Sequence, residues 1–314
     1  MSHDVYDVII VGAGPAGLSA AAHAHLCGLS YLLLEQRRLA NTLDYYYPRG
    51  KFVMTLPALI PLRSDLPFAA GSGEEVLRIW KTRALESQLR HSHESVQKIT
   101  KKPPEGLFAV ETAQHVYTAT HVVLAIGKKG NPNRLGVPGE DLPHVADRLA
   151  DPGAYTGASI LVVGGGDAAA ETALALSERN HVTLSYYREE FRPEKMNETL
   201  RGRLQEKIAR GEIQAVFNSV VQLIDPEIVV LKEPQGTRRV QAEYVFLMLG
   251  ANMPTDFLQR CGVTFSSDPS IDKQAVPRVD EQYQAVGGRR AVSHRLPHGE
   301  GSHQAGHEPG LGSY

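Results

Sequence analysis

Two stretches carry the spacing of a phosphate-binding turn. In the first, Gly12, Gly14 and Gly17 fall at the three glycine positions of GxGxxG, directly after the apolar run VIIV. The first glycine permits a tight turn, and the second lets backbone approach a pyrophosphate. The third lets helix and strand pack closely, with the helix N-terminus facing the phosphates. Glu35 closes the next apolar run, at the spacing of a carboxylate that holds an adenosine ribose. In the second stretch, Gly164 and Gly166 are followed by Ala169 in the third place, after ILVV. The strand after this turn, VTLSYY, ends without an acid, and Arg188 and Arg192 follow it. A missing carboxylate with nearby arginine favours a ribose bearing a 2′-phosphate, although two arginines suit a solvated loop equally well.

The elements that must position these turns repeat. Val5 to Val11 reads as a buried strand, Ala16 to Cys27 as a helix and Tyr31 to Glu35 as a second strand. Ser72 to Glu75 offers a capping box for a helix running to Arg90. Ser95 to Ile126 reads as four strands, VQKIT, LFAVET, VYTAT and HVVLAIG. A connector rich in Gly and Pro, Gly127 to Gly139, marks a domain boundary. A second strand-turn-helix-strand unit spans Ser159 to Tyr187. A helix near Glu194 to Arg210 follows, then the strands QAVFN, VVQLI, EIVVLK, RRVQAE and YVFLMLG. The unit and its meander therefore occur twice in the same order. Two dinucleotide turns imply two dinucleotides, a tightly held FAD and a diffusible NADPH or NADH, with hydride passing between stacked rings.

Composition narrows the partners. The chain has 314 residues, 42% hydrophobic, with a net charge of -2. That length suits two domains, and the charge gives no signal for nucleic acid or anionic membranes. The two cysteines, Cys27 and Cys261, form no CxxC and no metal-ligand spacing, so a reducing, cytoplasmic setting is expected. Met1 to Asp7 lacks a basic, apolar leader, and no apolar run has membrane-spanning length. Cys27 reads as a buried structural thiol, and Trp80 as an apolar anchor of its helix. The tail histidines lack ligand spacing, so no metal site is expected.

These motifs resemble the two-dinucleotide flavoprotein reductases, the pyridine nucleotide-disulfide oxidoreductase superfamily, and within them the thioredoxin reductases. VGAGPAG, which includes Pro15 and Ala16, with Glu35 and Gln36 resembles their FAD motif. VVLAIG, ending at Gly127, resembles their crossover strand. GVPGE, GGGDAAAE (Asp167, Ala168, Glu171) and VTLSYYREEFRP resemble their NADPH domain, and YVFLMLGANMPTDFL, with Gly250, their return strand. Tyr47-Pro48 resembles the aromatic-Pro segment near the flavin. The likeness runs from Val5 to Val279. It implies an α/β fold of two Rossmann-like, three-layer ββα dinucleotide-binding domains, the second inserted into the first. Residues 1–120 would form the FAD-binding domain, 121–252 the NAD(P)H-binding domain and 253–314 the return. The implied activity is FAD-dependent NAD(P)H oxidation with electrons passed to an unidentified acceptor, a redox protein among the candidates. No catalytic acid, base or nucleophile is named. Dimer formation is implied by the resemblance alone.

The chain also departs from that pattern. HVADRLADPGAYTGA, where thioredoxin reductases carry CxxC, has no cysteine. Without a redox dithiol the chain cannot reduce thioredoxin by that route. Ala16 stands where bacillithiol-disulfide reductase-like relatives carry a cysteine. Tyr186 and Tyr187 replace the usual His and Arg. The tail after about Gly287 matches nothing in the family. LPHGEGSHQAGHEPG, back-translated and read one base later, gives YPMVKAAIKQAMNQG, which resembles the family's closing helix. A shifted frame there would remove part of the flavin site. Two alternatives stand beside the oxidoreductase: a flavin monooxygenase, against which no FxGxxxHxxx(Y/F)-like segment is found, and a nucleotide-binding protein without turnover.

Overall fold

The computed structural model describes residues 5–53, 66, 70–86, 88–104, 106–268, 275–282, 284–285 and 292–293. In the first domain, β1 (Val5–Val11) leads through α1 (Pro15–Leu26) to β2 (Tyr31–Leu34). The last four residues of β1 and all of β2 are buried, as expected of strands covered on both faces. Proline at the first helical position and a run of Ala, Ser and Gly favour α1. Its small residues Gly17, Ala21 and Ala24 are buried and allow a close approach to the sheet. Gly28 takes a φ of +67° just beyond the helix and ends it.

An antiparallel pair of two-residue strands, β3 (Phe52–Val53) and β4 (Gly71–Ser72), precedes α2 (Gly73–Glu86). Ser72 Oγ accepts the Glu75 N–H at 3.2 Å, as the capping box requires. The helix ends at Glu86, four residues before the expected Arg90. Trp80 is buried in the core between α2 and the sheet, as its anchoring role requires. Next come β5 (His91–Ser92), β6 (Val96–Lys102), β7 (Leu107–Thr112) and β8 (Val116–Leu124). The sheet order is β5-β2-β1-β8-β7-β6. VYTAT and HVVL, expected as two strands, form the single strand β8. Nothing between them breaks a strand: Thr120-His121 offers no Gly or Pro, so the chain stays extended. The lower half of β8 pairs antiparallel with β7, and almost all of its length lies parallel to β1.

Buried Glu94 staples this sheet. Its carboxylate accepts from Ser92 Oγ (2.7 Å), Thr112 Oγ1 (2.5 Å) and Tyr117 OH (2.6 Å), at the ends of three different strands. Burial alone would raise its pKa. The four hydrogen bonds from Thr112, Tyr117, Ser92 and His115 outweigh that and lower it to about 2.

The second domain begins with β9 (Val145–Ala146) and β10 (Ser159–Val163), then α3 (Asp167–Leu176) and β11 (His181–Ser185). It continues with α4 (Glu198–Ala209), β12 (Ile213–Val216), the meander β13 (Val220–Ile224), β14 (Ile228–Glu233) and β15 (Gly236–Gln241), and β16 (Tyr244–Leu247). The parallel sheet has the order β12-β11-β10-β16-β9. One of its faces packs on α3 and α4, the other on the meander, giving three layers. Here the meander and the return strand are separate elements, where β8 combines them in the first domain.

The chain then returns. α5 (Thr255–Arg260), Cys261 and Val263 complete the first domain's core, and β17 (Val292–Ser293) pairs with the upper end of β8. The second domain is thus inserted into the first. The connectors out and back are bonded to each other, through Asn133 N–H to Gly250 O and Asn252 N–H to Asn131 O, both 3.0 Å. Cys261 is buried, and that burial pushes its thiol pKa up to about 11. Cys27 corrects its expectation. It follows the last helical residue of α1, beyond the buried stripe, and is exposed. The expected frame change near Gly287 and the tail histidines lie outside the described residues, apart from the two-residue strand β17.

Candidate functional site

The two glycine turns are built on the same hydrogen bonds. Gly12 N–H donates to Leu34 O, and Gly164 N–H donates to Ser185 O, in each case the last residue of the second strand. Ala125 N–H donates to Val11 O, and Met248 N–H donates to Val163 O, both at 2.8 Å. A Cβ on Gly12 would lie 2.6 Å from Ala125 O, and one on Gly164 would lie 2.4 Å from Met248 O. Two residues further on, Gly127 (φ +59°) and Gly250 (φ +78°) turn the chain away from each sheet. The sequence repeat is therefore a repeat of backbone geometry.

Within the first turn each glycine has its own physical reason. Gly12 has a φ of +99°, open to glycine and strained for other residues. A Cβ on Gly17 would fall 1.7 Å from Gly12 O, so only glycine lets α1 seat on the turn. Gly14 differs. Its φ of -74° suits any residue, and a Cβ there would meet nothing within 4 Å. The one glycine that the fold does not require faces open space at the N-terminus of α1. No acidic residue sits in that helix's first turn, which leaves its N–H groups and positive dipole end free for an anion. Pro15 and Ala16 open the helix, and no thiol stands there. Glu35 Oε2 accepts the Ala13 N–H and Oε1 the Arg37 N–H, both at 2.8 Å. Each oxygen keeps acceptor capacity for a ribose hydroxyl. Gln36 receives a longer bond, 3.4 Å, from Ser95 Oγ. These residues fit a dinucleotide.

The second turn departs at one position. Where Glu35 meets Ala13, Tyr186 meets Gly165. A Cβ on Gly165 would lie 2.3 Å from the Tyr186 ring. Tyr186 is buried and stacks on Phe191 at 5.8 Å. An aromatic ring thus fills the carboxylate's place, which explains why this turn reads Gly-Gly-Gly where the first reads Gly-Ala-Gly. Ala169 is fully buried against the turn, the third-position role. Gly166 lies 3.4 Å, through its would-be Cβ, from Lys195 O, and Asp167 accepts the Asn197 N–H at 2.8 Å. The segment before α4 therefore flanks this turn. Arg188 is exposed and rests on the Tyr187 ring, its Nε bonded to the Tyr187 hydroxyl. Arg192 pairs with Glu194.

Between the domains lies an open cleft. It gathers five residues singled out by sequence: Tyr47 and Pro48 from the first domain, Ala168 and Glu171 from α3, and Gly250 from the return connector. Sequence reasoning missed the charged residues that join them. Lys51 Nζ reaches across to Glu171 at 2.7 Å and lies 4.6 Å from the Tyr47 ring centre. Arg148 donates to Tyr45 O at 2.9 Å, with its guanidinium 3.6 Å from the Tyr45 ring centre. Arg49 N–H donates to Ala150 O. The irregular segment around Tyr45–Lys51 is thus clasped by the second domain. Tyr47-Pro48 was its only sequence signal, because the partners lie more than 100 residues away.

A family model described as pyridine nucleotide-disulphide oxidoreductase matches residues 9–284. The chain belongs to that family. Among its relatives, a ferredoxin–NADP reductase of Ignicoccus hospitalis is 32% identical over 235 residues, covering 74% of this chain and 70% of that one. Bacilliredoxin reductase Bdr of Bacillus subtilis is 27% identical over 272 residues, covering 85% and 81%. Among solved structures, bacillithiol disulfide reductase Bdr of Bacillus cereus matches with a TM-score of 0.81 at 24% identity, covering 92% of this chain and 90% of that chain. Thioredoxin reductase of Lactococcus lactis gives 0.71 at 22%, covering 91% and 89%. These structural likenesses show the shared fold. No helix among the described residues is long and apolar enough to cross a membrane, and no group of His, Cys, Asp or Glu among them could hold a metal ion.

Proposed function

We propose that this protein is an FAD-dependent NAD(P)H oxidoreductase that passes electrons to a separate acceptor. The observation that carries the reading is the duplicated turn, with matching bonds at Gly12 and Gly164 on two domains that share one cleft. When bound, the flavin takes hydride from the nicotinamide and hands electrons onward. The chain's residues bind and orient. Gly12, Gly14 and Gly17 with the α1 N-terminus hold the FAD pyrophosphate, and Glu35 its ribose. Gly164, Gly166 and Ala169 hold the nicotinamide dinucleotide. Tyr186 removes the carboxylate that would repel a 2′-phosphate, and Arg188 and Arg192 stand beside that position, which favours NADPH. Tyr47, Ala168, Glu171 and Gly250 line the space where the two ligands meet. The first domain, with β8 to Leu124 and the returning α5, serves the flavin, and the inserted domain serves the nicotinamide.

With only Cys27 and Cys261 in the chain, electrons do not leave through a dithiol of its own. The acceptor is a separate redox partner, of the kinds named for the relatives: a ferredoxin or a disulfide-bearing protein. Two measurements test the reading: chromatography of flavin released on denaturation, and steady-state NADPH oxidation with an artificial acceptor. FAD together with turnover supports it. A folded chain that neither binds FAD nor oxidises NADPH or NADH overturns it.

A further inference from the structure

Lys129 is the surplus cation of the interdomain cleft. It lies on the outgoing connector, two residues past Gly127, and lines the cleft with Lys51, Arg148, Asp147 and Glu171. The other two cations are committed. Lys51 holds Glu171 at 2.7 Å, and Arg148 is bonded to Tyr45 O and stacked on its ring. Among the described residues Lys129 has no hydrogen bond and no ion pair, and Asp147, the remaining carboxylate of the lining, does not reach it. Lys129 is exposed to solvent, and partial loss of water beside the cleft lowers its pKa, with repulsion from Lys51 and Lys128 lowering it further. Glu171 and Asp147 only partly oppose this. A cation left in that condition gains from any anion that reaches it.

We propose that the interdomain cleft contains an anion subsite at Lys129, which takes the phosphate or carboxylate of a small molecule entering between the domains. Binding rests on the cleft alone, and the subsite's place in turnover rests on the oxidoreductase reading above. The anion is either a phosphate of the nicotinamide cofactor or a group on the acceptor.

Calorimetric titration of inorganic pyrophosphate into the full chain tests the binding. Lys129→Gln is expected to bind at least tenfold more weakly than the unaltered chain. Lys129→Arg should restore binding to within about threefold, and Lys128→Gln should change it by less than threefold. Thermal melting checks that each variant is folded. Equal affinity in Lys129→Gln overturns the subsite, because pyrophosphate at the glycine turns does not depend on Lys129. Absence of binding to the unaltered chain overturns it as well. Turnover then identifies the source. A KM for NADPH that rises in Lys129→Gln with both a neutral quinone and ferricyanide assigns the anion to the cofactor. A KM that rises for ferricyanide alone assigns it to the acceptor, and no change in either KM removes the subsite from turnover. If the unaltered chain oxidises no NADPH, the oxidoreductase reading fails while the calorimetry still decides the subsite.

Discussion

Gly14→Ala separates binding from folding at the first turn. The added methyl group meets no atom within 4 Å, and φ of -74° is ordinary for alanine. Gly14 is the N-cap of α1, where alanine is worse than glycine by up to about 1 kcal/mol. Reduced freedom of the unfolded chain offsets about 0.4–1 kcal/mol of that. The net change in stability is therefore within about 1 kcal/mol, a melting shift of about 2–4 °C at most. If FAD's pyrophosphate lies against this backbone, the methyl group occupies its place. FAD affinity should then fall at least tenfold, about 1.4 kcal/mol. Gly17→Ala is the counterpart. Its Cβ would sit 1.7 Å from Gly12 O, so α1 must move and the domain should lose several kcal/mol of stability. Melting by circular dichroism and titration of the apoprotein with FAD read the two effects separately. A Gly14→Ala variant that binds FAD as tightly as the unaltered chain would refute the assignment of this turn to the pyrophosphate.

Further predictions concern other parts of the molecule. Gly165→Ala should cost about 1–3 kcal/mol through its clash with the Tyr186 ring, and Tyr186→Ser should relieve most of it. Additive losses in the double-mutant cycle would count against this packing. Glu94 has its folded-state pKa lowered from 4.5 to about 2, so its contribution is present above the unfolded value and is lost as pH falls through the folded one. That is roughly 3 kcal/mol, removed between about pH 4.5 and 2, and chemical denaturation of Glu94→Gln should lack this component. A thiol reagent should label exposed Cys27 quickly and buried Cys261 only on unfolding; two fast thiols would contradict the packing around Cys261. Arg188→Ala should raise KM for NADPH at least fivefold more than KM for NADH, and equal changes would remove it from 2′-phosphate recognition.

Much of the fold was legible because it rests on local patterns. VIIV and ILVV, each followed by glycines and small residues, specify strand, turn and helix wherever they occur, and both turns formed. The join of VYTAT to HVVL was not legible. A turn is signalled by Gly, Pro or Asn, but continuity is signalled only by their absence. Cys27 was misplaced by its helix register, since the buried stripe of α1 ends at Ala24. In the site, glycine roles followed from spacing. Lys51–Glu171 and Arg148–Tyr45 did not, because they pair residues 120 and 103 positions apart. One long-range feature was written locally and went unread. The middle glycine of Gly164-Gly165-Gly166 records the ring of Tyr186, which needs the space that Ala13 fills in the first turn.

The most direct test of the account is anaerobic mixing of the FAD-loaded chain with NADPH while the flavin's visible absorbance is followed. The account predicts that the yellow band bleaches, and that an added acceptor restores it. Bound FAD that neither NADPH nor NADH bleaches would mean that the two turns do not serve one reaction.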